Sequence, residues 1–123
     1  MGRGGFKELA VWQRSKDLAV QIYKTSSSGP LSKDHGLRDQ LRRAAISIPS
    51  NLAEGDERDT DRDAVRFFYI AKGSVAELRT QLQIAFEIGY LDRNVFEKLD
   101  GECFQISRMI GALIKARTNT SSL

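Results

Sequence analysis

The feature that most constrains this fold is an apolar helical period that continues through a proline. From Leu37 to Leu52 the apolar residues recur at steps of four, three, one, three and four, and Pro49 lies inside this stretch. Such spacing is typical of one face of an α-helix. A loop has no reason to keep the helical phase. The sequence therefore predicts a single helix over 33–55 that is kinked at Pro49, which removes one backbone hydrogen bond at a cost of about 3 kcal/mol.

Three further segments show the same helical period, with short connections of turn-forming residues between them. The four predicted helices span about 6–25, 33–55, 61–88 and 92–117. No alternating strand pattern competes with them. The sequence predicts an all-α, antiparallel, up-and-down four-helix bundle that forms one domain over residues 1–123.

Capping residues predict where these helices begin and end. Ser32 and Asp34 remain open as alternative N-caps of the second helix, while Thr60 and Asp92 are the predicted N-caps of the third and fourth. Gly55 and Gly89 are the predicted stops of the second and third helices. The last six residues, TNTSSL, are predicted to form a frayed tail.

Composition and the scarcity of reactive residues exclude several classes of protein. The chain has one cysteine, Cys103, and one histidine, His35, so the usual Cys/His zinc sites are excluded. No apolar run approaches the length of a membrane span, and the N-terminus lacks a signal-peptide pattern. We therefore expect a cytoplasmic protein with no metal, no cofactor and no membrane association.

Charge is unevenly distributed along the chain. Residues 54–63 contain six acidic and two basic side chains, and the rest of the chain contains 17 basic and 10 acidic ones. A basic body favours a polyanionic partner. The candidate nucleic-acid-binding residues are Arg14, Arg38, Arg42 and Lys72. The alternative is that these cations form an ordinary solvated face.

Polar residues on the second and third helices predict a polar seam between them. Antiparallel pairing about residue 58 would place Ser47 near Ser74, and Arg42 or Arg43 near Glu77. We expect a buried, charge-assisted Arg43–Glu77 pair, with Asn51 and Glu54 bonded to backbone groups around Pro49. The predicted seam residues are Arg43, Ser47, Asn51, Glu54, Ser74 and Glu77. A structural role is favoured over catalysis for all of them.

The segments QLRRAAISIPSNLAEG (40–55) and RFFYIAKGSVAELRTQL (66–82) carry a resemblance to a known family. The sequence resembles the four-helix-bundle proteins encoded by intervening sequences within bacterial 23S ribosomal RNA genes. That family is in turn similar to the accessory proteins of diversity-generating retroelements, which form pentameric barrels and bind nucleic acid and a reverse transcriptase. The resemblance implies a homo-oligomer, a pentamer, with an RNA-linked role.

Two functional hypotheses follow from these observations. The first is a non-enzymatic, homo-oligomeric bundle that binds RNA or another nucleic acid through basic surface residues. The alternative is a protein-interaction scaffold, or an accessory subunit of a partner enzyme, that does not bind nucleic acid. An enzyme is not expected, because the sequence has no phosphate-binding glycine loop, no Ser/His/Asp set and no metal cluster.

Overall fold

The computed structural model describes residues 5–121, and its regular structure is entirely helical. A 3-10 turn at Gly5–Glu8 precedes five α-helices, which are α1 (Ala10–Thr25), α2 (Gly29–Lys33), α3 (His35–Asp56), α4 (Asp61–Glu87) and α5 (Arg93–Ser121). None of these helices combines the length and the apolarity needed to cross a membrane. The four long helices correspond to the four that the apolar period predicts.

Helix α3 continues without a break through Pro49, which is buried within it. Ile48 and Leu52, on either side of the proline, are fully buried against the neighbouring helices. Packing of this apolar face offsets the hydrogen bond that the proline cannot donate. The continuity of the helix is confirmed, and the bend at Pro49 stays a prediction.

Two helix starts differ from the sequence-based prediction. The first helix does not begin at residue 6, because Leu9 adopts an extended conformation and separates the 3-10 turn from α1. The second predicted helix is preceded by the short helix α2, whose Leu31 is buried in the core. Asp34 resolves the open choice of N-cap, since its Oδ1 accepts a hydrogen bond from the Leu37 backbone N–H at 3.1 Å.

The long helices form an antiparallel four-helix bundle in which each packs against its neighbours in the ring. Helix α3 lies between α1 and α4, while α5 lies between α4 and α1. Apolar residues from all four long helices and from α2 form one continuous core. The predicted all-α fold class is confirmed.

Most predicted helix ends are found where the capping residues indicated. Thr60 Oγ1 accepts from the Asp63 backbone N–H, and Asp92 Oδ1 accepts from that of Val95. Gly89 follows α4 with a φ of +89°, the left-handed conformation that favours glycine after a helix. The prediction for Gly55 is wrong, because α3 extends one residue further and Gly55 is a buried interior residue of the helix.

The fourth predicted helix is longer in the structure than in the prediction. Helix α5 extends to Ser121 rather than to residue 117, so most of the predicted tail is helical. Residues 122 and 123 of that tail lie outside the described residues. Arg117, one turn before the end of α5, contacts Asp56 and Asp61 of the acidic segment 54–63.

Candidate functional site

Three of the six residues predicted for the polar seam, Ser47, Asn51 and Ser74, form a series of hydrogen bonds between α3 and α4. Asn51 Nδ2 donates to Ser47 Oγ at 3.0 Å, the Ser47 and Ser74 hydroxyl oxygens lie 2.8 Å apart, and Ser74 Oγ donates to the Ile70 carbonyl at 3.1 Å. Because the Ser74 proton is used on Ile70, Ser47 is the donor between the two serines. Each of these three side chains therefore has a hydrogen-bond partner.

The residues expected around Pro49 behave differently from one another. Asn51 Nδ2 also donates to the Ser47 backbone carbonyl at 2.8 Å, as predicted for a residue that supports the helix near the proline. Glu54 does not take part. It is exposed and forms an ion pair with Arg58 one turn later, at 2.9 Å. The predicted backbone role of Glu54 is wrong because its side chain projects to solvent.

The predicted buried Arg43–Glu77 pair is not formed. Ser47 contacts Ser74 and Gln40 faces Gln81, and this register places Ala44, rather than an arginine, opposite Glu77. Arg43 and Glu77 are both exposed, and neither has a hydrogen bond or an ion pair within residues 5–121. A difference of about three residues in the pairing register separates the prediction from the structure.

Arg43 and Glu77 instead line a groove between α3 and α4, which we call the α3–α4 groove. Its volume is about 410 Å³, and its lining residues are Gln40, Arg43, Ala44, Ser47, Glu77 and Gln81. Gln81 is only 9% exposed, and its amide nitrogen lies 3.5 Å from the Gln40 oxygen. The Gln81 Oε1 atom is buried and has no hydrogen-bond partner among the described residues. A buried polar atom of this kind calls for a partner.

Three of the four cations predicted to bind nucleic acid are held by groups of the chain itself. Arg14 forms a two-pronged ion pair with Glu102, at 2.9 and 2.7 Å, which raises the pKa of Arg14. Arg38 donates to Asp39 and to the Ser32 carbonyl, and its hydrogen bond lowers the pKa of Asp39.

Arg42 is the third of these cations. It donates to Ser26 Oγ at 2.8 Å and lies over the Tyr23 ring, 4.5 Å from its centroid. Arg38 and Arg42, both predicted to bind nucleic acid, are therefore engaged by other groups of the chain. Lys72 is exposed and unpaired in the part of the chain that the structure describes. Of the four predicted residues, Lys72 is the one with no hydrogen bond or ion pair within residues 5–121.

Lys72 belongs to a surface between α4 and α5 that the sequence reading missed. We call this surface the basic–aromatic face, and its residues are Tyr69, Lys72, Phe104, Arg108 and Lys115. Tyr69 is 58% exposed and Phe104 is 46% exposed. Tyr69, Lys72 and Lys115 line a groove of about 320 Å³, and the Arg108 guanidinium lies 6.0 Å from the Phe104 ring centroid. The available signal was the helical spacing of Phe104, Arg108 and Lys115, four and seven residues apart.

Comparison with known protein families identifies the family of this chain. The family model of the 23S rRNA-intervening sequence protein matches residues 7–112. The chain belongs to this family. The resemblance carried by the α3 and α4 motifs is thereby confirmed, and those same motifs supply the residues of the α3–α4 groove.

A solved structure shares the fold. It is the crystal structure of a protein with unknown function from the S23 ribosomal protein family of Bacteroides thetaiotaomicron, with a TM-score of 0.79 and 23% sequence identity, covering 86% of this chain and 99% of that one. At this identity the similarity shows the fold alone. A comparison with curated proteins finds no match. Neither the family of 23S rRNA-intervening sequence proteins nor this neighbour indicates a catalytic class.

Chemically reactive groups are sparse in the structure of this family member. Across residues 5–121, no three His, Cys, Asp or Glu side chains are grouped to hold a metal ion. Cys103 is buried, and its removal from water raises the pKa of its thiol to about 12. The thiolate fraction at pH 8 is then about one part in ten thousand.

This burial predicts that Cys103 is unreactive in the folded protein. We expect native protein at pH 8 to show no fast reaction with the disulfide reagent DTNB, because both access and ionisation are suppressed. Protein unfolded in guanidinium chloride serves as the control and should release one thiol equivalent at once. Rapid labelling of the native chain would show that Cys103 is accessible.

Proposed function

We propose that this chain is a non-enzymatic, homo-oligomeric module that binds single-stranded nucleic acid through the basic–aromatic face. The observation that carries the proposal is the grouping of three cations with two exposed aromatic rings on one side of α4 and α5. Such a grouping suits single strands, whose phosphates attract cations and whose bases stack on aromatic rings.

The charge balance of this face supports a polyanionic ligand. Lys72, Arg108 and Lys115 form no ion pair within the described residues, so their charge is not neutralised by the chain. Asp100, on the same side of α5, is neutralised by two hydrogen bonds from Arg79, at 2.8 and 3.1 Å. A phosphate backbone that crosses this face would therefore meet uncompensated positive charge.

The aromatic rings add a contribution to the binding free energy that salt does not screen. Stacking of a base on an exposed aromatic ring contributes about 1–3 kcal/mol. Three phosphate contacts should give a slope of about −2 in a plot of log affinity against log salt for a single strand. The proposal thus predicts weak to moderate affinity with a shallow salt dependence and little sequence preference.

The test is the binding of a labelled single-stranded RNA to the full chain and its variants at several salt concentrations. The double variant Arg108→Glu/Lys115→Glu should bind about tenfold or more weakly, because two phosphate contacts become repulsive. Tyr69→Ala should bind the RNA about tenfold more weakly, and the slope of log affinity against log salt should stay unchanged, since this variant removes stacking alone. The matched control is Lys24→Glu/Lys33→Glu, which changes the net charge equally on exposed residues of α1 and α2.

The control separates a specific face from general charge. If both double variants lose the same affinity, binding is nonspecific and the basic–aromatic face has no special role. If the wild-type chain shows no salt-dependent binding, the nucleic-acid proposal is wrong, and the alternative hypothesis of a protein-interaction scaffold is favoured. The homo-oligomer belongs to the same proposal, and the pentamer implied by the family resemblance stays a prediction.

A further inference from the structure

The α3–α4 groove contains three polar groups that the described chain does not use. Arg43, from α3, and Glu77, from α4, are exposed and form no hydrogen bond or ion pair within residues 5–121. The Gln81 side chain is almost completely buried, and its Oε1 atom has no hydrogen-bond partner among those residues. Burial of that oxygen costs free energy unless a donor reaches it. The groove therefore has a cation, an anion and a buried acceptor available to a ligand.

The two walls of the groove offer a ligand opposite kinds of polar group. The α3 wall carries donors, which are the Arg43 guanidinium and the Gln40 amide nitrogen. The α4 wall carries acceptors, which are the Glu77 carboxylate and Gln81 Oε1. The groove volume of about 410 Å³ is within the range of small-ligand sites, roughly 300–1,000 Å³. A fitting ligand has acceptors along one edge and donors along another.

The opposite charges of Arg43 and Glu77 select against most simple ions. A phosphate or a carboxylate would meet the Glu77 carboxylate, and an ammonium or a guanidinium would meet Arg43. An amino-acid zwitterion matches both charges, but single ion pairs with exposed side chains contribute little. A planar guanidinium and a planar carboxylate each form two parallel hydrogen bonds with a planar partner. These properties favour a planar, uncharged ring system.

Guanine is the RNA base whose edges match both walls of the groove. Its O6 and N7 atoms accept two hydrogen bonds from an arginine guanidinium. Its N1–H and its 2-amino group donate side by side, as the Glu77 carboxylate requires, and the second amino hydrogen is left for Gln81 Oε1. Adenine, cytosine and uracil each place an acceptor beside the donor on their Watson–Crick edge, and this acceptor would repel a carboxylate.

We infer that the α3–α4 groove is a binding site for a guanine base. Arg43 holds the O6 and N7 edge, while Glu77 and Gln81 accept from the N1–H and the 2-amino group. The inference goes beyond the proposed function, because the groove shares no residue with the basic–aromatic face. The base comes either from a free guanine nucleotide or from a guanosine within a single strand. Glu77 and Tyr69 are eight residues apart, about 12 Å along α4, a distance that a short strand spans.

The test is a titration of the isotope-labelled full chain with three nucleotides, followed by NMR. Guanosine, adenosine and inosine monophosphate share the ribose and the phosphate, and the inosine compound lacks only the 2-amino group of the guanosine compound. Guanosine monophosphate should shift the side-chain amide signals of Gln81 and Gln40, and should bind about tenfold or more tightly than adenosine monophosphate. Inosine monophosphate should bind about tenfold more weakly than guanosine monophosphate, because Gln81 Oε1 loses its donor.

A matched pair of variants tests the carboxylate. Glu77→Gln keeps the size of the side chain and should weaken the binding of guanosine monophosphate about tenfold, since an amide offers only one acceptor oxygen. The control is Glu87→Gln, which removes an exposed carboxylate from the same helix outside the groove and should leave this affinity unchanged. Because both side chains are exposed, circular dichroism should show that both variants are folded.

A single guanosine within an otherwise all-adenosine RNA distinguishes the two sources of the base. The basic–aromatic face has little sequence preference by itself. If the groove takes its base from a strand, this RNA should bind about tenfold more tightly than the all-adenosine RNA, and Glu77→Gln should remove the difference. Tyr69→Ala should weaken both RNAs equally. Equal binding of the two RNAs, together with selective binding of guanosine monophosphate, would support the inference with a free nucleotide as the ligand.

Two results would overturn the inference. The first is equal affinity for guanosine and adenosine monophosphate, or binding that leaves the Gln81 amide signals unshifted. The second is a shift of these signals by glycine but not by guanosine monophosphate, which would identify an amino-acid zwitterion as the ligand. Selective binding of guanosine monophosphate without salt-dependent RNA binding would support the inference and contradict the nucleic-acid proposal, so the failures of the two are distinguishable.

Discussion

Replacing Arg117 by alanine should lower the free energy of unfolding by about 1.5–3 kcal/mol, because the variant loses charge-assisted hydrogen bonds at a largely buried site. Arg117 Nη2 lies 2.8 Å from Asp56 Oδ1, and the Asp56 side chain is only 2% exposed. The same guanidinium reaches Asp61 at 3.4 Å and lies over the Phe68 ring. Removing it takes one cation away from a buried carboxylate, and the ends of α3, α4 and α5 lose their common contact.

The measurement is denaturant unfolding at one protein concentration, because assembly contributes to apparent stability. Arg14→Ala is the matched control. It removes a two-pronged ion pair with Glu102, but both side chains are substantially exposed, at 44% and 33%, so the expected loss is about 0–1 kcal/mol. Equal losses in the two variants would show that burial of Asp56 does not determine the cost.

The sequence reading missed the Arg117–Asp56 pair because the two residues are 61 positions apart. Nothing in the local pattern of either helix indicates which charged residues meet when the bundle closes. The prediction also ended the last helix at residue 117, so Arg117 was expected to lie next to the frayed tail. Long-range pairs depend on helix rotation and length, and both are decided by packing.

The helices themselves were predictable because each carries a strong local signal. The apolar period set the number of long helices, and Thr60 and Asp92 set two of their starts through capping bonds that depend only on neighbouring residues. Helix α2 was missed since five residues are too few to show a period. Local chemistry thus determined most of the fold.

The candidate site was predictable only as far as the pairing register was correct. The Ser47–Ser74 contact was predicted because small errors in register still bring two nearby serines together. The Arg43–Glu77 pair requires an accurate register, and a shift of about three residues places Ala44 opposite Glu77 instead. The basic–aromatic face could not be ranked above other charged faces, since exposure of Tyr69 and Phe104 is a property of the packed bundle.

Replacing Gly55 by alanine should destabilise the fold by about 1–3 kcal/mol, although alanine is the better helix former. A Cβ atom at this position would lie 2.7 Å from Cε1 of Phe68 and 2.9 Å from the backbone oxygen of Ala64. Both neighbours are fully buried, so neither has free space into which it could move. The glycine is required because α3 and α4 approach closely here, and not because it ends α3.

Gly101→Ala, measured by the same denaturant unfolding, is the control, and its effect on the free energy of unfolding should have the opposite sign. Gly101 lies inside α5, and an added Cβ there would meet no atom within 4 Å. Alanine should therefore stabilise the chain by about 0.5–1 kcal/mol, since it reduces the backbone entropy lost on folding. If Gly55→Ala also stabilised the protein, α3 and α4 would have to be further apart at this point than the structure shows. Opposite signs at two helical glycines would establish that close packing decides the requirement for glycine.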